Sequence, residues 1–331
     1  MNDIGQFSMD RLLGHVAAQT SQKTFGWRGL DGLEIGMNPG ELCVIAGRTG
    51  HGKSTVVLNV LSHWLETFPD EVYVFFSFEI PAEAVAMKLA SALCRKIGGV
   101  GWSYHDVRRW VQRQHGRFTA DLNDAKLVEA IDLLKKWQDR LIVIYEPDWN
   151  VEKVVTYARE LNSKIKNIGG VFIDYLQLVA PPPGRYENRE HEVSTVARQL
   201  KRLGVRIGCP TVAAAQIGKE AAMISDWIPN GTLEDERVLR AIAKRRPQLH
   251  HLREGGGEQE ADLVIGLLNY RADFVMAAEE AGIDHKTLLE VGGAGPFDLG
   301  VMKNRYGQLG VASLILESRS GFIRDAGVFG K

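Results

Sequence analysis

Cysteine and long apolar runs are scarce in this sequence of 331 residues, and each shortage excludes a class of protein. The three cysteines, Cys43, Cys94 and Cys209, form no CxxC pair. This excludes a zinc ribbon built from this chain and is typical of a reducing compartment. No run of 18 apolar residues exists, so we predict neither a membrane-spanning helix nor a secretory signal peptide. We therefore expect a cytoplasmic protein.

An excess of either charge is also absent. The net charge is -1, from 40 Lys and Arg against 41 Asp and Glu, so the overall charge does not indicate a nucleic-acid partner. Any such binding has to come from a local patch or from a geometry that assembly creates.

What the sequence does contain is a regular alternation of short apolar runs and helical patterns. Predicted strands cover 41–47, 71–80, 140–147, 169–179, 209–216, 261–270, 298–305 and 310–318. Helical patterns occur at 56–64, 82–96, 105–138 and 193–203. Strands that are apolar throughout and alternate with helices predict an α/β fold with a mostly parallel central sheet, covered by helices on both faces.

The N-terminal segment has a different pattern. Residues 8–20 predict a short amphipathic helix with Ser8 as its N-cap and a narrow apolar stripe. We expect two parts, an N-terminal linker helix at 1–20 and one large domain at 21–331.

The stretch GRTGHGKS at 47–54 matches the phosphate-loop pattern GxxxxGK[ST] and lies between an apolar strand and an amphipathic helix. Glycines let backbone N–H groups turn towards a phosphate, and the helix N-terminus adds a favourable dipole. Lys53 is expected to reach the β and γ phosphates and Ser54 to ligate Mg²⁺. The pattern predicts a nucleoside triphosphatase that uses Mg²⁺. The predicted nucleotide-binding residues are Gly47, Gly50, Gly52, Lys53, Ser54 and Thr55.

Three polar residues stand at the ends of other predicted strands, where ligands bind in an open parallel sheet. Asp174 follows the apolar stretch VFI and is predicted to hold Mg²⁺ from a second side. Glu79 is predicted to orient or activate the attacking water, and Gln216 is a candidate sensor of the γ-phosphate. Each of these residues alone is also compatible with an ordinary strand end, and the phosphate loop before them favours the functional interpretation.

The layout of these residues resembles RecA-like ATPases, and several strings resemble the C-terminal motor domain of DnaB-type replicative helicases. The resemblance covers about residues 20 to 325. It is carried by FSFEIP (76–81), IDYLQLV (173–179), ENREHEVSTVARQLKRL (187–203), AAAQI (213–217), LREGGGEQEADLVIGLL (252–268) and KNRYGQLG (303–310).

This resemblance implies a hexameric ring with ATP sites between subunits, single-stranded DNA in the central channel and movement from 5′ to 3′. It also implies that Lys303 and Arg305 reach across the interface to the neighbouring subunit's ATP, where they stabilise charge on the γ-phosphoryl group. The alternative for these two cations is the exposed tip of an ordinary β-hairpin.

Two polar loops are the expected DNA contacts. In the first, Arg185, Asn188 and Arg189 are placed to reach phosphates. In the second, Arg253, Glu254 and Gly256 match the family positions that bind the DNA backbone, although this loop is one residue shorter than the usual form. A ring of six copies would concentrate such loops on one axis without making the chain basic.

The sequence also departs from the family pattern. We expect the family's N-terminal domain, which binds primase, to be missing, as in a phage, plasmid or mobile-element helicase or a truncated chain, so that a helicase loader or primase remains an open partner. Residues 8–20 are similar to the family's linker helix. The segment 271–297 is longer than the usual connection and contains a predicted small helix, to which the sequence assigns no function.

Other functions stay open at this point. One is a RadA-like recombination ATPase, whose family carries a motif of the KNRFG type but usually a four-cysteine zinc site as well. Another is a ring-forming regulatory ATPase of the RecA superfamily that does not unwind DNA. A non-enzymatic scaffold is disfavoured because every catalytic position is filled.

Overall fold

The computed structural model describes residues 22–114, 124–165, 167–218, 233, 235–252, 257–280 and 293–326. For residues 114 and 278–280 it describes the backbone alone. The predicted linker helix at 8–20 lies outside the described residues, so the division at residue 20 stays a prediction.

Eleven strands are described, in two sheets. They are β1 Lys23–Thr24, β2 Gly36–Met37, β3 Leu42–Gly47, β4 Val72–Ser77, β5 Leu141–Tyr145, β6 Ile168–Asp174, β7 Thr211–Gln216, β8 Leu263–Asn269, β9 Ala294–Asn304, β10 Gly310–Glu317 and β11 Phe322–Asp325.

The described α-helices lie between these strands. They are α1 Arg28–Asp31, α2 Lys53–Thr67, α3 Ala82–Lys96, α4 Tyr104–Gln114, α5 Ala125–Trp137, α6 Val151–Lys164, α7 Arg189–Ile207, α8 Glu236–Ala243 and α9 Tyr270–Glu280. Within the described ranges, none of these helices has the length and apolar composition that crossing a bilayer requires.

The large sheet has the strand order β11-β10-β9-β8-β3-β7-β6-β4-β5. The six strands from β8 to β5 are parallel, whereas β9, β10 and β11 continue the sheet as antiparallel neighbours. The prediction of a mostly parallel sheet flanked by helices is confirmed. The carboxyl ends of the six parallel strands therefore lie along one edge, whereas β9 and β11 run in the opposite direction.

Side chains of β3 show how the two faces of the sheet are buried. Cys43 and Ile45 belong to the core formed with α2, α3 and α5, and Leu42, Val44 and Ala46 belong to the core formed with α6 and α7. All five are fully buried. Since successive side chains of a strand point to opposite faces, a strand covered on both sides has to be apolar throughout. This is why β3 reads as an unbroken apolar run.

Several predicted boundaries were wrong. The strand predicted at 169–179 ends at Asp174, and the chain then forms a 3-10 turn at Leu176–Leu178. The helical pattern at 105–138 contains two helices, because Asp124 is the N-cap of α5. The strand β11 and the small antiparallel sheet of β1 and β2 were not predicted, since they are too short to show a period.

Candidate functional site

Strand register brings the predicted nucleotide-site residues to one edge of the sheet. Gly47 at the end of β3 is level with Gln216 at the end of β7. Ser77 at the end of β4 is level with Asp174 at the end of β6. Because β3, β7, β6 and β4 are neighbours, four chain segments far apart in sequence form one continuous edge.

The phosphate loop connects β3 to α2 through two glycines in the left-handed region. Gly50 has φ 77° and Gly52 has φ 89°, which residues with a side chain rarely adopt. Gly52 is also the N-cap of α2, so the helix begins at Lys53 with its first N–H groups facing the loop. The Lys53 ammonium donates to the carbonyl of Arg48 at 3.0 Å, inside the turn that the loop makes.

The predicted Mg²⁺ ligands lie together beneath this loop. Asp174 is buried, with 1% exposure, and neither carboxylate oxygen has a hydrogen-bond partner of normal geometry among the described residues. Burial raises its pKa, and the nearby Ser54 hydroxyl acts in the opposite direction. A buried carboxylate that has the Ser54 hydroxyl beside it, and no closer polar partner among the described residues, provides the oxygen ligands that Mg²⁺ prefers, so these residues fit the ion.

Glu79 lies two residues beyond the end of β4, in an exposed bend, and not on the strand as predicted. Its charge acts on both Lys53 and Asp174. Burial lowers the pKa of Lys53, and Asp174 and Glu79 oppose that shift. The structure thus places a solvent-exposed carboxylate beside the lysine and the buried aspartate, while the role of Glu79 as a base stays a prediction.

Gln216 contacts the phosphate loop directly. Its side-chain amide donates to the hydroxyl of Thr49 at 3.0 Å. Its backbone N–H donates to the side-chain oxygen of Gln177 at 3.0 Å, and its carbonyl accepts from the Gln177 amide at 2.9 Å. The sequence pattern indicated no role for Thr49 or Gln177. These residues are 167 and 39 positions away from Gln216 along the chain, and contacts at such separations leave no local sequence pattern.

A buried charged cluster holds the phosphate loop from behind and was also missed. Arg48 pairs with Asp273 of α9 at 2.6 Å and donates to the carbonyl of Arg245 at 2.9 Å. Arg245 pairs with the same carboxylate at 3.0 Å. His51 lies within the cluster with no exposed surface, and burial, together with Arg48, lowers its pKa to about 3. The small helix predicted in 271–297 therefore supplies a carboxylate to the phosphate loop.

Lys303 and Arg305 are at the opposite edge of the sheet from their own phosphate loop. Arg305 pairs with Asp262 at 2.9 Å, and the other carboxylate oxygen of Asp262 accepts from the N–H of Leu42, where β3 begins. Since β3 runs from Leu42 to Gly47, about 17 Å of strand separates these cations from the loop. Lys303 donates to the carbonyl of Glu258 at 2.6 Å.

The turn that carries these cations is a solvent-exposed β-hairpin tip between β9 and β10. Three large apolar side chains on it are exposed, namely Tyr306 at 69%, Leu309 at 60% and Val311 at 45%. Such a cluster of exposed apolar residues on one hairpin is typical of a surface that contacts another protein. The hairpin structure expected as the alternative is therefore present, together with a feature that an ordinary tip does not need.

The first predicted DNA loop is described and the second is not. Arg185, Asn188 and Arg189 are all exposed, and the Asn188 side chain also caps α7 by accepting from the N–H of His191 at 2.9 Å. Arg189 donates to the carbonyl of Gln177 and pairs with Glu192. The predicted contacts Arg253, Glu254 and Gly256 lie outside the described residues. All six DNA contacts stay predictions.

Comparison with known proteins agrees with this arrangement. The family model of the DnaB-like helicase C-terminal domain matches residues 24–323. The replicative DNA helicase DnaB of Helicobacter pylori is 28% identical over 262 residues, which cover 78% of this chain and 46% of that protein. The replicative DNA helicase DnaC of Bacillus subtilis is 24% identical over 290 residues, 87% of this chain and 53% of that protein. The chain thus spans about half the length of these curated relatives.

Two solved structures share the fold. The ATPase domain of G40P superimposes with a TM-score of 0.70 at 20% identity, covering 98% of this chain and all of that one. A DnaB-like replicative helicase studied with primase superimposes with a TM-score of 0.68 at 18% identity, covering 99% of this chain and 69% of that one. At such identities the likeness establishes the fold alone.

Proposed function

We propose that this chain, which belongs to the family of DnaB-like helicase C-terminal domains, is an ATP-driven motor that assembles into a hexameric ring and moves along single-stranded DNA during replication. The observation that carries the proposal is the separation of two half-sites. The phosphate loop, Asp174 and Gln216 lie at one edge of the sheet, and Lys303 and Arg305 lie at the other. A ring joins the first edge of one copy to the second edge of the next.

In the first half-site each residue has a separate task. The Lys53 ammonium leaves the Arg48 carbonyl to bind the β and γ phosphates, for which the loop glycines present backbone N–H groups. Ser54 and Asp174 would hold Mg²⁺, which neutralises charge on the phosphate oxygens. Glu79, exposed beside them, accepts a proton from the attacking water, and Gln216 contacts the γ-phosphate from the neighbouring strand.

The second half-site supplies positive charge in trans. Arg305 and Lys303 are too far from their own loop to reach it, yet they stand on an exposed hairpin beside apolar side chains that can pack on a neighbour. Positive charge placed at the γ-phosphoryl group stabilises the transition state and is typically worth 10³-fold or more in turnover. A monomer would therefore hydrolyse ATP very slowly.

DNA contacts follow from the same assembly. Arg185, Asn188 and Arg189 lie on exposed positions after β6, and six copies of them, with Arg253, Glu254 and Gly256, would line the ring's channel. The only aromatic residue in either loop is Tyr186, so we infer that the protein follows the DNA backbone and has weak sequence preference. We further infer 5′ to 3′ movement, a cytoplasmic location and a helicase loader or primase as partner.

The test combines assembly and turnover on the full chain. Native mass spectrometry with a non-hydrolysable ATP analogue and an oligo-dT strand should give six copies, and oligo-dT should raise the ATPase rate. Lys53→Ala should abolish turnover under both conditions. A ring whose ATPase rate ignores oligo-dT would contradict the helicase function and favour the regulatory ATPase. A chain that stays monomeric with nucleotide and DNA would contradict the two-edge site.

A further inference from the structure

A continuous set of hydrogen bonds runs from the phosphate loop to the first residue of α7. Thr49 accepts from the Gln216 side chain at 3.0 Å, and the Gln216 backbone is bonded twice to the Gln177 side chain, at 2.9 and 3.0 Å. The backbone carbonyl of Gln177 in turn accepts from the guanidinium of Arg189. The two ends of this set are the nucleotide loop and one of the predicted DNA contacts.

The pair of hydrogen bonds between Gln177 and Gln216 has a clear structural origin. The ladder between β6 and β7 ends at the pair Ile173 and Ala213, because the chain leaves the sheet after Asp174. On the other side of β7, Gly47 already accepts from Ile217. The Gln216 N–H and carbonyl therefore face the gap that β6 leaves, and buried backbone groups need partners.

The Gln177 side chain fills that gap as if it were another peptide unit. Its amide offers one acceptor to the Gln216 N–H and one donor to the Gln216 carbonyl, and Asn and Gln are the side chains that carry the same amide group as the backbone. Gln177 stands on the short 3-10 turn at Leu176–Leu178, so its own carbonyl is fixed relative to its side chain. Gln177 therefore connects the backbone of Gln216 to the carbonyl that accepts from Arg189.

Arg189 is the residue that can respond. Its side chain is about half exposed and is held by two contacts, the Gln177 carbonyl and Glu192 one turn along α7. Neither contact is buried, so exchanging one of them for a phosphate of DNA costs little. The Gln177 carbonyl is thus one of the two groups that orient the guanidinium.

We propose that Gln177 is a positioning residue that couples the nucleotide state sensed by Gln216 to the DNA contact of Arg189. The inference rests on the proposed function. When the Gln216 side chain exchanges Thr49 for a γ-phosphate, the end of β7 shifts, and Gln177 transmits the shift to Arg189. Loss of the γ-phosphate reverses the exchange. Gln177 touches no substrate, and its effect lies in how strongly one ligand changes the affinity for the other.

The experiment measures that coupling. Fluorescence anisotropy gives the Kd of a labelled oligo-dT strand for the full chain with a non-hydrolysable ATP analogue and with ADP. In the wild type we expect the two values to differ by about tenfold, within the usual range of coupling between sites. Gln177→Met keeps the length of the side chain and removes both hydrogen bonds, and it should bring the two values to within about twofold.

Three further variants sharpen the result. Gln138→Met, the same change at the exposed C-terminal end of α5, should keep the wild-type ratio. Gln177→Glu keeps an acceptor for the Gln216 N–H but lacks the donor, so it should show an intermediate ratio. Arg189→Ala should also lower the ratio, and the double variant Gln177→Met with Arg189→Ala should lower it no further, since both act on one connection.

The outcomes separate this inference from the proposed function. If Gln177→Met weakens DNA binding equally in both nucleotide states, or leaves the ratio at the wild-type value, Gln177 does not couple the sites and the inference is overturned. Thermal unfolding of each variant shows that the comparison is between folded proteins. If the wild type does not bind oligo-dT in either state, the proposed function itself is overturned, and the inference with it.

Discussion

The two edges of the large sheet are built in opposite ways. At the carboxyl edge of the parallel strands, the phosphate loop is held by buried groups of its own chain, with Arg48 and Asp273 exposed by only 4% and 0% at their side chains. At the other edge, Arg305 is 46% exposed and the hairpin tip projects apolar side chains into solvent. The phosphate loop is thus held in place by its own chain, whereas Lys303 and Arg305 lie about 17 Å of strand away from that loop. This difference supports the proposal that catalysis requires assembly.

The largest effect is expected from removing Arg305, the cation that we propose acts on the neighbouring subunit's ATP. Arg305→Ala should retain nucleotide binding but lower turnover by about 10³-fold, because the γ-phosphoryl charge is no longer stabilised. Glu79→Gln should likewise bind ATP and hydrolyse it poorly. ATPase rates and nucleotide affinities measured on each variant check both expectations.

Mixing these two variants tests whether Arg305 acts across an interface. Mixed rings contain some interfaces with an intact Glu79 on one side and an intact Arg305 on the other, so part of the activity should return. Native mass spectrometry has to establish that mixed rings form. Absence of rescue at every ratio, in rings known to be mixed, would count against action in trans.

Removing the buried carboxylate behind the phosphate loop should lower the free energy of unfolding. Asp273→Ala leaves Arg48 and Arg245 buried without this partner, and breaking a buried pair in this way typically costs about 3 kcal/mol or more of unfolding free energy. Asp132→Ala, which removes an exposed pair with Lys135, should change it by less than about 1 kcal/mol. Urea unfolding of both variants makes the comparison, and equal losses would contradict the stabilising role assigned to the buried Asp273.

The buried His51 should make the free energy of unfolding depend on pH, and this effect is smaller than that of Asp273→Ala. The pKa of His51 is about 3 in the folded chain and near its ordinary 6.5 when unfolded. Below pH 6.5 the unfolded state therefore binds a proton that the folded state does not, and stability falls as the pH decreases towards 3. At pH 5 the loss should be about 2 kcal/mol relative to pH 7.5.

His51→Met removes the titrating group while filling a similar buried volume. The quantity to compare is the change in unfolding free energy between pH 7.5 and 5, which should be smaller in the variant than in the wild type. An unchanged difference would show that other groups produce the pH dependence.

The smallest effect on folding should come from the hairpin tip. Tyr306→Asp and Leu309→Asp change exposed side chains, so we expect unfolding free energies within about 0.5 kcal/mol of the wild type. Assembly should instead weaken, because a charge replaces apolar contact area at a subunit interface. Sedimentation at several protein concentrations with the ATP analogue checks this, and wild-type assembly in both variants would contradict the interface assigned to this tip.

Much of the fold was predictable because its signals are local. The phosphate loop is recognised by the spacing of two glycines, a lysine and a serine between a strand and a helix. The central strands are recognisable as unbroken apolar runs because both faces of the sheet are covered. By contrast, β11 and the 3-10 turn after Asp174 carry too few residues to show a period.

The candidate site was likewise predictable only in part. Asp174 and Gln216 could be placed because each ends an apolar strand, and the register confirms that they share an edge. The partners of the phosphate loop could not be found in this way. Asp273 is 225 residues from Arg48, and the two halves of the Gln177 and Gln216 pair are 39 residues apart, so no spacing rule joins them.

The sequence by itself determined the candidate chemistry, because the phosphate loop and the paired cations are residue types at short, fixed separations and Asp174 ends an apolar run. Only the tertiary structure decided how these groups are placed relative to one another. Strand order and direction place Lys303 and Arg305 about 17 Å of strand away from their own loop. The same topology brings Gln177 into the gap where β6 leaves the sheet. Both are consequences of which strands pair, which is settled by the packing of distant segments rather than by any local pattern.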